Sequence, residues 1–376
     1  MSINSSKMQC CGCKACENVC PRKCICIDYL NGSFVKRIDK KKCSSCDACN
    51  RVCPMSSRFD LKVPVIGYSA AAKSKQVCKK SSSGGIATLL YYLFLNHNDI
   101  CIGVRYDEKM RAIYDVIRDI NDLDLYVGSK YVYSDMNSVY SLVDRYLKEG
   151  KRVLFIGLPC HIVGLRNSIR EIYQKNLYAV DLVCSGEPRF DIFKRYVGKI
   201  ESKTCRKVRK VAFRNKNNSY GVTAYGANDE IIYKKKWYED PYMVAYRYEM
   251  SLCLSCYGCR FAQERRAGDM TIKDGFFSKK FPYKRIRVPY NASFVMINSE
   301  KGKELWEKIV STNEIWYEEC NVDSIVDSDK RLNKAAKNSF KRKIFDCFEK
   351  AFGVEMAVKV LFPIEEQLYY TRYLKK

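Results

Sequence analysis

The chain has 376 residues, 47% of them hydrophobic, a formal net charge of +25 and 21 cysteines. That length suits two or three domains, and the apolar content excludes a disordered tail built around a cofactor. A polar start (MSINSSKMQCC) and a longest apolar run of only residues 86–95 argue against a signal peptide and a membrane-spanning helix.

Residues 10–54 carry one cysteine pattern twice. Cys10, Cys13, Cys16 and Cys20 precede Pro21, and Cys43, Cys46, Cys49 and Cys53 precede Pro54. Each run reads C-x2-C-x2-C-x3-C-P, the bacterial-type ferredoxin signature, in which the fourth cysteine serves the other [4Fe–4S] cluster. The crossed sets are Cys10, Cys13, Cys16 and Cys53, and Cys43, Cys46, Cys49 and Cys20. Zinc also takes four thiolates, but two full runs, each closed by a turn-fixing proline, favour iron–sulfur. Such ligation without an export signal fits a reducing cytoplasm. Between the runs, residues 25–35 (ICIDYLNGSFV) predict a hairpin turning at Asn31-Gly32. Cys11, Cys24 and Cys26 fall outside the pattern and are expected to act as small buried hydrophobes.

A ferredoxin-type unit over 1–58 is followed by a linker, 58–64 (RFDLKVP), and a strand over 65–72. Ser81-Ser82-Ser83-Gly84-Gly85 then opens an apolar helix over 86–95. Its backbone N–H groups suit an anion, although serine and glycine also serve as ordinary caps. A strand over 100–106 and a helix ending near 149–150 complete a region spanning 65–150.

Two strand–cysteine–helix units come next. The strand 153–157 leads through Leu158-Pro159-Cys160 into a helix over 161–169. The strand 177–183 leads through Cys184 to Pro188 into a helix over 190–200. Repeated units of this kind predict an α/β sheet with parallel strands, whose ligands gather at the carboxyl ends of the strands. Cys160, Cys184, Cys253, Cys256 and Cys259 are five candidates for the four ligands of a third [4Fe–4S] cluster, and spacing alone does not choose among them. His161 has no visible partner and reads as structural. Residues 151–299 form this second α/β region. Residues 300–376 predict a basic helical segment, with 330–343 as a solvated face or a dock for an acidic partner.

Several motifs occur in order over roughly residues 65–275: SSSGG (81–85), GSKY (128–131), GxPCxxxGL (157–165) and DLxCxGxP (181–188). FRxK (213–216), CYxC (256–259) and GDxTIxD (268–274) follow. With these, the chain resembles the coenzyme F420 hydrogenase/dehydrogenase beta-subunit family, in a form with a ferredoxin domain fused at its N-terminus. The resemblance implies an α/β flavoprotein (α+β overall) with a [4Fe–4S] cluster near a flavin, FAD rather than FMN. It favours Cys256 and Cys259, with Cys160 and Cys184, as the third ligand set, and leaves Cys253 spare. It also places the flavin at Ser82, Ser83, Gly84, Gly85 and Lys130. Departures from the family pattern are His161, Ser185, Arg189 and the Asp274-Gly275-Phe276-Phe277 end. They fall near the expected active site, and so leave open whether the organic substrate is a deazaflavin.

The function expected is therefore an iron–sulfur flavoprotein oxidoreductase, moving electrons between [4Fe–4S] clusters and a flavin that exchanges hydride with a small organic substrate. The alternative is an electron-transfer subunit docked to a partner enzyme. No catalytic residue is singled out. The positive charge suits an acidic electron carrier or a partner oxidoreductase subunit. Nucleic acid is not an expected partner, because no nucleic-acid module is recognisable.

Overall fold

The computed structural model describes residues 10–30, 32–216, 221–275 and 292–363. Asn31, Phe276, Phe277 and the end of the basic C-terminal segment, 364–376, lie outside the described residues. The fold is mixed α/β. β1 (Ile25–Leu30) and β2 (Ser33–Ile38) form the expected antiparallel hairpin between the two cysteine runs.

Among the described residues the main sheet has nine strands. They are β3 (Ile66–Ala72), β4 (Ile100–Tyr106), β5 (Ala112–Ile117), β6 (Ser134–Asp135), β7 (Val153–Gly157) and β8 (Leu177–Leu182). A separate three-stranded sheet follows, made of β9 (Lys210–Asn215), β10 (Gly221–Tyr225) and β11 (Ile231–Lys235). β12 (Met270–Asp274), β13 (Ser293–Ile297) and β14 (Ile315–Cys320) then complete the main sheet, whose order is β14-β3-β13-β12-β8-β7-β4-β5-β6. At its centre β4, β7, β8 and β12 run parallel. Antiparallel β5 lies on one side and antiparallel β13 on the other.

The sequence explains this layout. β7 (VLFIG) is buried throughout, as a central strand covered on both faces must be. Tyr91 and Phe94, on the helix Ile86–Leu95, and Leu305 and Trp306, on the helix Glu300–Ser311, pack in one core against the sheet. In another core the helices Val139–Lys148 and Pro159–Ser168 join residues of the ferredoxin-type unit. Tyr133 donates to the Gly12 carbonyl at 2.7 Å, and its ring lies 4.4 Å from that of Phe34. Lys14 pairs with Asp135 at 2.7 Å. The ferredoxin-type unit is thus packed onto the α/β unit.

Four expectations change. The helix expected from 161 starts at Pro159, whose fixed φ suits the first helical position, so Cys160 sits in the first turn. The linker is docked, because Lys62 and Arg266 exchange backbone hydrogen bonds of 2.8 and 2.7 Å. The C-terminal segment is not wholly helical: β14 pairs with β3, its exposed Glu318 and Glu319 suiting a sheet edge. Nor is its basic stretch a simple solvated face, since Arg331 is buried on Glu249 and Arg342 on Asp346.

Asp269 joins these parts. Its buried carboxylate accepts from Lys62 at 2.5 Å, Arg166 at 2.8 Å, Ser299 at 2.8 Å and the Ala179 N–H at 3.0 Å. Burial pushes its pKa up, but Arg166, Lys62 and Lys301 outweigh that and hold it at about 2. Asp269→Asn leaves these cations facing a neutral group. We expect it to cost about 3 kcal/mol of stability, read as a lower urea midpoint by circular dichroism; a midpoint within error of the parent contradicts this role.

Candidate iron–sulfur and cofactor site

Within the ferredoxin-type unit the sulfurs group across the two runs. Cys53 interacts electrostatically with Cys10 and Cys16, and Cys20 does so with Cys46. These pairs belong to the crossed sets, and Cys16 also interacts with Cys49 of the other set. Backbone N–H groups point at the sulfurs: Gly12 at Cys10 and Ser45 at Cys43, each 3.4 Å. Such donors favour the thiolate and tune the potential of a bound cluster. Of the three cysteines outside the pattern, Cys11 and Cys24 are buried as expected, whereas Cys26 is exposed. Cys24 lies 3.4 Å from Cys20, sulfur to sulfur.

β7 and β8 end side by side, with Gly157 opposite Asp181. The chain then turns into Cys160 on one strand end and into Cys184 on the next. Gly186, at a φ of 101°, takes the left-handed backbone that this turn needs and donates its N–H to Cys184 at 3.3 Å. The Glu187 N–H reaches Cys256 at 3.3 Å. Cys160, Cys184, Cys256 and Cys259 all line one cavity of about 40 Å³. Cys253 does not line it, but its buried sulfur interacts with those of Cys184 and Cys256 as well as with Glu187, Arg189 and Asp191. Among the described residues no three His, Cys, Asp or Glu side chains are placed to hold a single metal ion. A cubane is a different demand, since it holds its four thiolates apart by the width of the cube. Two thiols that follow the carboxyl ends of parallel strands and two from the turn at 254–259, with Cys184 and Cys256 met by backbone donors, fit that group. Arg266 and Arg331 line the same cavity, each paired with a carboxylate, Asp181 and Glu249 respectively.

A larger cavity of about 270 Å³ adjoins the first, close to the lower end of the roughly 300–1,000 Å³ of small-molecule sites. Ser82, Ser83, Gly85 and Lys130 line it. Gly84 does not. A side chain there would meet the Ala70 carbonyl at 2.4 Å, so this glycine allows the loop to lie against β3. Motifs far apart in the chain converge on the cavity. Ser129 donates its N–H to Ser82 at 2.7 Å, and Lys216 donates to the Ser83 carbonyl at 2.7 Å. Arg214 pairs with Asp274. Half-buried Lys130 donates to the Val127 and Gly128 carbonyls at 3.2 and 3.3 Å. Burial, helped by Lys210, pulls its pKa down to about 7.

The residues that depart from the family pattern have structural partners. His161 is fully buried, with Nδ1 3.1 Å from the Tyr114 hydroxyl and Nε2 3.7 Å from Glu187. Burial pulls His161 down to about 4 and pushes Glu187 up to about 8, so the pair is neutral near pH 7. Arg189, also buried, pairs with Asp191 and with Asp346 of the helix Phe340–Leu361, each at 2.7 Å. Ser185 lines both cavities. Sequence reasoning missed Cys11, which lines the smaller cavity, and Glu187, which lines both. Glu187 was visible only as the variable position of DLxCxGxP, and Cys11 carried no spacing signal.

Residues 67–141 match the N-terminal family model of the coenzyme F420 hydrogenase/dehydrogenase beta subunit, and residues 150–323 match the C-terminal one. No curated protein matches the chain. Among solved structures, one similar chain comes from the xenon-derivatised F420-reducing [NiFe] hydrogenase complex of Methanosarcina barkeri. It is 18% identical, with 80% of this chain and 93% of that chain covered and a TM-score of 0.48. The two family matches follow one another along the chain and take in the larger cavity and most of the smaller one, and the chain belongs to the coenzyme F420 hydrogenase/dehydrogenase beta-subunit family, a family of oxidoreductases.

Proposed function

We propose that the chain is an iron–sulfur flavoprotein oxidoreductase. The two crossed ferredoxin sets and the set of Cys160, Cys184, Cys256 and Cys259 hold three [4Fe–4S] clusters, and the larger cavity holds a flavin, FAD on the family likeness. When bound, the clusters supply single electrons and the flavin supplies paired exchange with an organic substrate. One observation carries this reading. Leu158, Cys184, Ser185, Gly186 and Glu187 line both cavities, so a single wall separates the four cysteines from the small-molecule site. That adjacency also favours an enzyme over a carrier subunit without substrate chemistry.

The chain's own residues divide the work. Ser82, Ser83 and Gly85 shape the helix entrance, where backbone N–H groups receive a phosphate. Lys130 adds a cation beside them. Lys216 holds the loop by its carbonyls and fixes its curve. Tyr114 and Tyr246 contribute apolar wall and restrict water. His161 and Glu187, neutral together, keep uncompensated charge out of the dividing wall.

Anaerobically prepared protein is expected to contain about twelve irons, matching sulfide and one flavin per chain. About eight irons and no flavin contradict the proposal. Cys259→Ser is expected to lose about four irons while Cys253→Ser loses none; the reverse assigns the third site differently. Lys130 is protonated below about pH 7, so above it an anionic ligand binds only with uptake of a proton. FAD affinity is expected to weaken up to tenfold per pH unit above about pH 7, and Lys130→Met to flatten that slope. Fluorescence titration of the flavin-free protein across this range checks it; a pH-independent Kd in the parent counts against Lys130 as the anion's partner.

A further inference from the structure

The two ferredoxin sets occupy unequal places. Cys43 and Cys46 are exposed, whereas Cys13 and Cys16 are buried. The inner set touches the α/β unit. Cys11 lines the cavity of the third set beside Cys160, and its thiol interacts electrostatically with those of both Cys13 and Cys160. Gly164, on the helix that carries Cys160, lies so close that a Cβ there would sit 3.3 Å from the Cys13 sulfur. Met55, two residues after Cys53, lines the same cavity. No residue of the Cys43 run does.

The exposed end has a charge of its own. Lys40, Lys41 and Lys42 lead directly into Cys43, and all three are exposed. Exposed Arg51 donates to the Cys46 carbonyl at 3.1 Å. Arg22 and Lys23 follow Cys20 and are also exposed; the Lys23 N–H donates to the Cys20 carbonyl at 3.1 Å. Asp39 and Asp47 are the acids among them, and Asp39 lies 3.8 Å from Lys42. The surface around the outer set is therefore strongly basic where its cysteines meet solvent.

We propose that the ferredoxin-type unit has a fixed polarity: an acidic one-electron carrier protein docks on the basic collar around Cys43 and Cys46, and the Cys10, Cys13, Cys16 and Cys53 set faces inward, meeting the third set across Cys11. This rests on the cluster assignment above but not on the flavin. Each encounter moves one electron and no proton: a reduced carrier is oxidised by one electron, and the chain is reduced by one. A polyanion without a redox centre satisfies the charge but gives the exposed cysteines nothing to exchange with. Complementary charge at such a face raises the association rate and makes it dependent on salt.

Two measurements test this polarity, and neither needs turnover. In the first, the Kd of a purified acidic dicluster ferredoxin is measured by calorimetry at low salt. Lys40→Glu/Lys41→Glu/Lys42→Glu is expected to raise it about tenfold or more, while the equally basic Lys341→Glu/Lys343→Glu/Lys350→Glu leaves it within about twofold. An equal loss in both variants, or a loss in the second alone, overturns the docking site. In the second, Cys46→Ser and Cys16→Ser each remove one ferredoxin cluster, verified by iron count, and the reduced proteins are compared by electron paramagnetic resonance. Magnetic coupling between the two remaining clusters is expected in Cys46→Ser and absent in Cys16→Ser; the opposite pattern overturns the order. If a serine variant loses more than one cluster, the docking measurement decides the proposal by itself. A protein without flavin leaves both measurements intact, so failure here is separable from failure of the flavoenzyme reading.

Discussion

Parallel pairing of β7 with β8 is the constraint on which the candidate site depends. In a parallel pair both strands end on the same edge, so the turns leaving the two strands are brought to one place. Gly157 stands opposite Asp181, and Cys160 and Cys184 come only a few residues after their strands. An antiparallel pairing would send these cysteines to opposite ends of the sheet. With them fixed, the short turn at residues 254–258 needs only to present Cys256 and Cys259 against the same edge. The larger cavity opens along that edge because the same strands supply Ile156 and Leu182 to its wall.

Buried charge holds that edge in register. Asp181, fully buried in β8, binds Arg266 and Thr271 and so ties β8 to β12 and to the loop before it. Asp269, just before β12, does the same with Lys62, Arg166 and Ser299, drawing the linker and two helices to one carboxylate. Arg189 connects the segment after Cys184 to the C-terminal helix, and Tyr29 of the ferredoxin hairpin donates to its partner Asp191. A buried pair of this kind adds little net stability, yet losing one partner is costly. Together these pairs fix the ferredoxin-type unit, the sheet edge and the C-terminal helix relative to one another.

Much of this was legible in the sequence because its signals are local. The hairpin after the first cysteine run, the helix Ile86–Leu95, and β4, β7 and β8 follow from short apolar runs bounded by turn residues. The ferredoxin-type reading of the two cysteine runs rests on their spacing. The hidden part depends on long-range pairing. β3 joins the sheet by pairing with β13 and β14, more than 200 residues later in the chain, and nothing local marks those partners. Arg331 and Arg342 read as surface cations because sequence does not show the Glu249 and Asp346 that bury them. Cys11 looked like packing because its importance lies in touching Cys160, almost 150 residues away in the chain. The choice of Cys256 and Cys259 over Cys253 came from family likeness, because Cys253 also lies beside Cys184 and Cys256.

The central claim is that single-electron sites on this chain lead to a two-electron site behind one wall. An anaerobic reductive titration, followed by absorbance and electron paramagnetic resonance together, addresses it directly by counting electrons. The account predicts uptake of about five electrons per chain, three by clusters and two by a flavin whose absorbance bleaches in the same titration. Uptake ending at two or three electrons, with no flavin band to bleach, would contradict it.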